Sequence, residues 1–264
     1  MRHDVVVPRP TLVLLHGQPD SSASFWALRR ALRSRLNRRV RIAVPDRPGY
    51  GANRLAATDF AGNASWLGGW LRRFGAGPVV VVGHSWAGGA AAMFASGEPG
   101  ALAGLILMAS IGPSCLLRID RVLAAPALGE LLSFSMLGIG LRPVSRHAAS
   151  VLGQHLSDAD APYAWASGAA MQHRPIWRSF LSEQRALVSQ LDEVTAALPS
   201  ITVPTLILTG KDDQVIPRRT VEALSSMIPG ARNVEIAGGH DLQLRQPEAT
   251  AQAIEEFAGP LLDP

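Results

Sequence analysis

Three side chains in this sequence have the chemistry of nucleophilic catalysis. Ser85 lies in Val79–Met93, VVVVGHSWAGGAAAM, between an apolar run and an alanine-rich run. A serine hydroxyl is a poor nucleophile at its own pKa and needs a base within hydrogen-bond reach. Of seven histidines, His240 is the best-placed base. It sits in Ala237-Gly238-Gly239-His240-Asp241, after the last expected strand and before the final helix. A base histidine needs an acid that fixes its tautomer and balances its charge. Asp213 is the candidate, with Asp212 as its rival, in Leu208-Thr209-Gly210-Lys211-Asp212-Asp213-Gln214-Val215-Ile216-Pro217. Such a serine, histidine and acid together carry out acyl transfer. Each also has a plainer reading: Ser85 as a helix N-cap, His240 as a surface-loop residue, the aspartates as solvated turn residues. His16 and His84 flank the site in sequence and are expected to shape their turns by hydrogen bonding. His147, His155 and His173 read as polar surface or cap residues, and His3 is terminal.

The elements that must position these groups follow from the local pattern. Four consecutive valines suit a strand buried on both faces. The alanines after Ser85 suit a helix. A serine at such a junction occupies a strained strand–turn–helix elbow that exposes the hydroxyl and aims the first helical N–H groups at the same point. Small neighbours are needed for the close strand–helix approach; Ala87 and Gly88 both qualify. Further strands are expected at 11–15, 41–44, 102–108, 205–208 and 233–236. Helices are expected around Phe25, Leu28, Leu32 and Leu36, with Ser21 or Ser22 as cap; from Thr58 or Asp59 through Leu71; over 218–227; and from Pro247 to Phe257. Strands alternating with helices mean a parallel sheet covered on both sides. At both termini of the chain this rhythm holds, but residues 112–198 contain no convincing strand. Apolar-periodic pieces at 123–137, 147–156, 162–171 and 177–187 make that segment an all-helical insertion.

Composition narrows the alternatives. Of 264 residues, 47% are apolar, which suits a globular α/β protein rather than a disordered chain. The net charge is +4, yet Lys211 is the only lysine. The arginines at 29, 30, 33, 35, 38, 39 and 41 surround an amphipathic stripe with no interleaved aromatics, so they read as a solvated helix face and not a nucleic-acid surface. Cys115 is alone, which excludes an internal disulfide and a cysteine metal site. The N-terminal MRHDVVVPRP has no signal-peptide core, so cytoplasmic residence is expected. The longest apolar stretch, 123–141, is broken by Pro126, Glu130 and several glycines and is too interrupted to span a bilayer.

Four motifs in order give the sequence a resemblance over nearly its whole length: it resembles the α/β-hydrolase superfamily, as a serine-nucleophile, esterase/lipase-like member with a helical cap. His16-Gly17-Gln18-Pro19 matches the family's H-G-x-P after the first strand. Asp46-Arg47-Pro48-Gly49-Tyr50-Gly51 matches D-x-x-G-x-G. The acid motif G-x-x-D-x-x-x-P selects Asp213 over Asp212, and Gly239-His240 with Pro247-Glu248 matches the histidine region. There are three departures. Ala87 stands where the elbow usually has glycine, the usual first hairpin is reduced to residues 5–7 or absent, and the alternative acid position holds Ala109-Ser110. The resemblance implies an α/β-hydrolase core over 1–111 and 199–264 and a lid or cap over 112–198.

It also implies a mechanism. Ser85, His240 and Asp213 form the catalytic set, and the backbone N–H groups of Gln18 and Trp86 form the oxyanion hole, with no metal or cofactor. Family members that hydrolyse epoxides or haloalkanes attack with an aspartate at the elbow, whereas this chain has serine. That leaves esterases and lipases, thioesterases, carbon–carbon bond hydrolases, perhydrolase-like enzymes, and biosynthetic acyl transferases; a ligand sensor that retains the triad is the non-enzymatic alternative. The apolar cap, with Leu116, Leu132, Met136 and Leu137 as candidate pocket residues, favours a carboxylic ester with an apolar acyl or alkyl part. The same leucines would serve equally to pack the cap onto the sheet. The expected partner is a small-molecule substrate with an apolar portion, with no nucleic acid and no transmembrane segment.

Overall fold

In a computed structural model, residues 9–140 and 176–263 are described. Six strands form one parallel sheet: β1 (Arg9–Leu15), β2 (Arg41–Ala43), β3 (Ala76–His84), β4 (Gly104–Met108), β5 (Thr205–Gly210) and β6 (Arg232–Ile236). Their order is β2-β1-β3-β4-β5-β6. From β1 the chain moves outward to β2, returns to β3 on the other side of β1, and then continues outward. This reversal makes a crevice at the carboxyl ends of β1 and β3, where open α/β sheets take their ligands. The register brings those ends level: Leu15 pairs with Gly83, His84 with Met108, and Gly210 with Ile236.

Alternation along each strand divides the core in two. Leu12, Leu14, Val80, Val82, Ile106 and Leu208 pack with α1 (Trp26–Arg35), the short α8 (Leu242–Arg245) and α9 (Pro247–Leu262) on one face. On the other face Val13, Val79, Val81, Leu105 and Ile207 pack with α2 (Phe60–Phe74), α3 (Trp86–Gly97) and α7 (Arg218–Met227). The valine run is apolar throughout because both faces of β3 are covered. Thus the parallel, helix-covered sheet expected from the sequence is present.

The helical insertion contributes α4 (Arg118–Ala124), α5 (Leu128–Ser133), a π-helical stretch (Phe134–Gly140) and the long α6 (Ile176–Ala197). The piece expected as one unit at 123–137 is broken, with a bend of 99° between the helix that ends at Ala124 and the one that starts at Leu128. Pro126 forces the residue before it out of helical geometry, and Ala125 is extended at φ −63°, ψ 140°. Leu187, Leu191 and Val194 of α6 belong to the same buried cluster as the sheet, so the second half of this helix packs as core. The pieces expected at 147–156 and 162–171, and the strand remnant at 5–7, lie outside the described residues. Among the described residues no single helix is long and apolar enough to cross a membrane.

Caps follow the sequence unevenly. Asp59 opens α2 by accepting from the Gly62 N–H at 2.8 Å, and Gly75 closes it at φ 61°. Neither Ser21 nor Ser22 caps the following helical turn with its side chain. Two carboxylates do this work instead: Asp20 accepts from the Ser21 N–H and Asp46 from the Ser22 N–H, each at 2.7 Å. Asp46 also accepts from the Ala52 N–H at 2.7 Å, so it ties the loop after β2 to the loop after β1. A Cβ on Gly51 would fall 2.1 Å from this carboxyl group, which explains a glycine there. The last helix runs five residues beyond the expected Phe257, because Ala258 and Leu262 continue its buried stripe.

Candidate active site

Ser85 follows β3 and precedes α3 with φ 54° and ψ −122°, a conformation that L-residues rarely adopt. Its side chain makes no N-cap hydrogen bond. The backbone is held on both sides: the Ser85 N–H donates to the Met108 carbonyl at 3.0 Å, and its carbonyl accepts from Gly88 and Ile111. The hydroxyl is thereby turned away from the helix and toward His240. Ser85 Oγ lies 2.9 Å from His240 Nε2, and His240 Nδ1 lies 3.0 Å from Asp213 Oδ2.

The Asp213 carboxyl is well prepared to stay ionised. Burial pushes the Asp213 carboxyl up, but the hydrogen bond and charge of His240 and the N–H groups of Ile216 and Val215 outweigh it, and the group is held below its ordinary range. Those two N–H groups reach Asp213 Oδ1 at 2.9 and 2.8 Å. An ionised carboxylate only accepts, so His240 Nδ1 carries the proton and leaves the Nε2 lone pair facing the serine hydroxyl. Asp212 is exposed and engages the neighbouring loop through its backbone N–H, which donates to the Gly238 carbonyl at 2.9 Å. Of the two aspartates, Asp213 is the one that meets His240.

The remaining histidines near the site are buried and neutral. His84 Nε2–H donates to the His240 carbonyl at 3.2 Å, and burial together with the nearby His240 lowers its pKa to about 3. His84 therefore fixes the backbone of His240. His16 Nδ1–H donates to the Gly17 carbonyl at 2.9 Å while Nε2 accepts from the Arg47 N–H at 3.0 Å. Burial, then the Arg47 charge, pushes its pKa well below the usual value. His147, His155 and His173 lie outside the described residues. No group of three or more His, Cys, Asp or Glu suited to a metal ion occurs among the described residues.

The loop after β1 runs close over Ser85. A Cβ on Gly17 would stand 2.9 Å from Ser85 Cβ, so only glycine permits this approach. Gln18 follows, and Trp86 opens α3, where the first N–H groups lack intrahelical partners. These are the two backbone donors expected from the sequence. The four candidate pocket residues are more dispersed. Leu116 packs against the sheet-side core, Leu132 and Leu137 are half-buried, and Met136 is 50% exposed on the π-helical stretch.

A buried ion pair was not anticipated. Arg47 and Glu183 are both fully buried, with Arg47 Nη1 bonded to Glu183 Oε1 and Tyr50 Oη–H donating to Glu183 Oε2 at 2.7 Å. Arg47 Nη2 also reaches Glu183 Oε2 at 3.2 Å. Burial opposes the Arg47 charge, but Glu183 more than restores it and the guanidinium stays protonated. A signal for Glu183 does exist in the sequence. Phe180, Glu183, Gln184 and Leu187 share one helical face, so a carboxylate and an amide interrupt an apolar stripe. Burial of both within that stripe requires partners from elsewhere.

Comparison with known proteins agrees with this architecture. The sequence matches the "Alpha/beta hydrolase family" over residues 12–253. It is 27% identical to the 2-hydroxy-6-oxo-2,4-heptadienoate hydrolase of Pseudomonas putida, covering 97% of this chain and 91% of that one. It is 26% identical to the pimeloyl-(acyl-carrier protein) methyl ester esterase of Stenotrophomonas maltophilia, covering 99% and 97%. In structure it is similar to an esterase of Exiguobacterium antarcticum, with a TM-score of 0.71 at 20% identity, over 95% of this chain and 92% of that one. The family match over most of the chain, on a six-stranded parallel sheet flanked by helices, establishes that this protein belongs to the α/β hydrolase family.

Proposed function

We propose that the protein is a serine hydrolase that cleaves a carboxylic ester with an apolar acyl or alkyl part through an acyl-enzyme. The observation that carries this reading is the hydrogen-bonded line from Ser85 Oγ through His240 to Asp213, with Ser85 at a strained elbow. Ser85 attacks the carbonyl carbon as His240 Nε2 takes its proton, and Asp213 stabilises the imidazolium. The negative oxygen of the tetrahedral intermediate lies between the N–H groups of Gln18 and Trp86, each such donor supplying roughly 2.7–4 kcal/mol. His240 returns the proton to the leaving alkoxide. It then activates a water that attacks the acyl-enzyme and frees the acid. The segment 112–198 acts as the cap over this site.

The test is a p-nitrophenyl ester series of increasing acyl length with wild type and Ser85→Ala. Turnover above one equivalent that falls by at least about 10³-fold in the variant supports the reading. Retention of activity within tenfold ends it. A second reading, carbon–carbon bond hydrolysis, is favoured by the similarity to the Pseudomonas putida hydrolase. Greater kcat/KM on a vinylogous diketone than on every ester would replace the first reading with the second. Thioesterase activity, acyl transfer to an acceptor other than water, and ligand sensing would use the same three side chains. Absence of turnover on all substrates would point to the sensor.

A further inference from the structure

One buried network centred on Arg47 reaches both residues whose N–H groups are assigned to the oxyanion. Gly17 contributes the carbonyl, and Gln18 the N–H, of a single peptide group. Arg47 Nη2–H donates to that carbonyl at 2.8 Å, and Arg47 Nε–H donates to the preceding carbonyl of His16 at 2.6 Å. Because a peptide group is planar and trans, fixing its oxygen fixes the direction of its N–H. A cationic donor on the oxygen also polarises the group and strengthens the N–H as a donor in a buried setting.

The other half of the network comes from two consecutive residues of α6. Glu183 neutralises Arg47 and, through its backbone carbonyl, accepts from the indole N–H of Trp86 at 3.0 Å. Gln184 Oε1 accepts from Gln18 Nε2–H at 3.0 Å, while Gln184 Nε2–H donates to Asp120 Oδ1 at 2.8 Å. Both residues that supply oxyanion N–H groups are thus tied to the same turn of α6. Buried ion pairs contribute little to stability compared with apolar replacements, so stability by itself gives no reason for this one. From the geometry we infer that Arg47 is a positioning residue for the Gly17–Gln18 peptide, and that Glu183 couples this peptide and Trp86 to α6. The inference rests on the acyl-transfer reading of Ser85.

The test uses the full chain with Arg47→Lys and with the double replacement R47M/E183M. Lysine keeps the charge but cannot reach two carbonyls and a carboxylate with one planar fork. In the double variant the charges are removed together, so the fold is kept while the Arg47 bond to the peptide is lost and only the His16 Nδ1–H bond to the Gly17 carbonyl remains. Both variants should show kcat on p-nitrophenyl butyrate reduced roughly ten- to hundred-fold with KM within about threefold, because only the transition state uses the oxyanion N–H groups. The inhibition constant of butylboronic acid, which forms a tetrahedral adduct with the serine, should weaken by a similar factor. R47M/E183M should retain a melting temperature within a few degrees of wild type and still be slow. Activity that recovers with stability in the double variant, unchanged kcat in either variant, or failure of both to fold would overturn the inference. Labelling of wild-type Ser85 by a fluorophosphonate separates the two levels. No labelling and no ester turnover would remove the acyl-transfer reading and the inference with it, whereas labelling with unchanged variant kcat would remove the inference alone.

Discussion

Gly88 faces Ser110 so closely that a Cβ at position 88 would stand 1.9 Å from the Ser110 hydroxyl and 2.6 Å from its Cβ. On the other side of the junction, a Cβ on Gly83 would meet the Gly88 Cα at 2.7 Å. The closest strand–helix contact at the elbow therefore runs between positions 83 and 88. This explains why alanine is accommodated at 87, fully buried, where the family motif has glycine. Gly88→Ala should destabilise the protein by ~1–3 kcal/mol through overpacking and slow turnover by shifting Ser85. Ala87→Gly should cost only about 0.5–1 kcal/mol from helix propensity and leave kcat within twofold. Urea denaturation and ester kinetics on both variants check this; equal effects would contradict the assignment of the contact.

Asp213→Asn should reduce kcat by about 10³–10⁴-fold with the protein still folded, because an amide facing Nδ1 favours the wrong imidazole tautomer. Asp212→Asn should stay within about threefold of wild type, its carboxylate being exposed. The two folded-state measurements to compare are steady-state kcat and near-ultraviolet circular dichroism. A reversed ranking would transfer the acid's role to Asp212. The Asp213 carboxyl is held below its ordinary range, so its contribution to stability is full above the unfolded pKa and is lost as pH falls through the folded one. The stability difference between wild type and Asp213→Asn should accordingly narrow in acid.

Asp20 behaves in the opposite sense. Burial, reinforced by Asp241, pushes its carboxyl up to about 6 despite hydrogen bonds from Ser24 and the Ser21 N–H. With the folded pKa above the unfolded one, the native state binds the proton more tightly, and stability falls as pH rises from about 4 to about 6. Above that window the penalty is constant. Asp20→Asn should therefore raise stability by ~1–3 kcal/mol at pH 7.5 and give no gain near pH 4. Urea midpoints at several pH values measure this, and a gain independent of pH would exclude titration of Asp20 as its source.

Met136 and Leu137 separate pocket from packing. Met136 is 50% exposed, so Met136→Ala should change stability by less than about 1 kcal/mol, far short of the 2–5 kcal/mol of a buried position. Leu137 is half-buried and its alanine variant should fall between these limits. If the two side chains border the acyl site, both variants should shift the ratio of kcat/KM between long and short acyl esters by ~1–3 kcal/mol per added methylene lost or gained. Unchanged ratios on folded protein would assign these positions to packing or surface.

Local pattern determined the elements. The apolar strand runs, the serine between a valine run and an alanine run, and the proline that opens α9 are each read within ten residues, because strand and helix periodicity depend only on near neighbours. The motif spacing also singled out Ser85, Asp213 and His240 before any distance was known. Their meeting was decided by the sheet order, which brings residues 155 positions apart to 2.9 Å. Arg47 shows the limit of a local reading. Within its loop it looks like any charged residue beside Pro48, and its partner Glu183 lies 136 positions away on a helix whose own pattern shows only an interrupted stripe. A buried charge signals that a partner exists, but which partner depends on how α6 packs against α2 and α3. Only the tertiary packing brings Arg47 beneath the Gly17–Gln18 peptide.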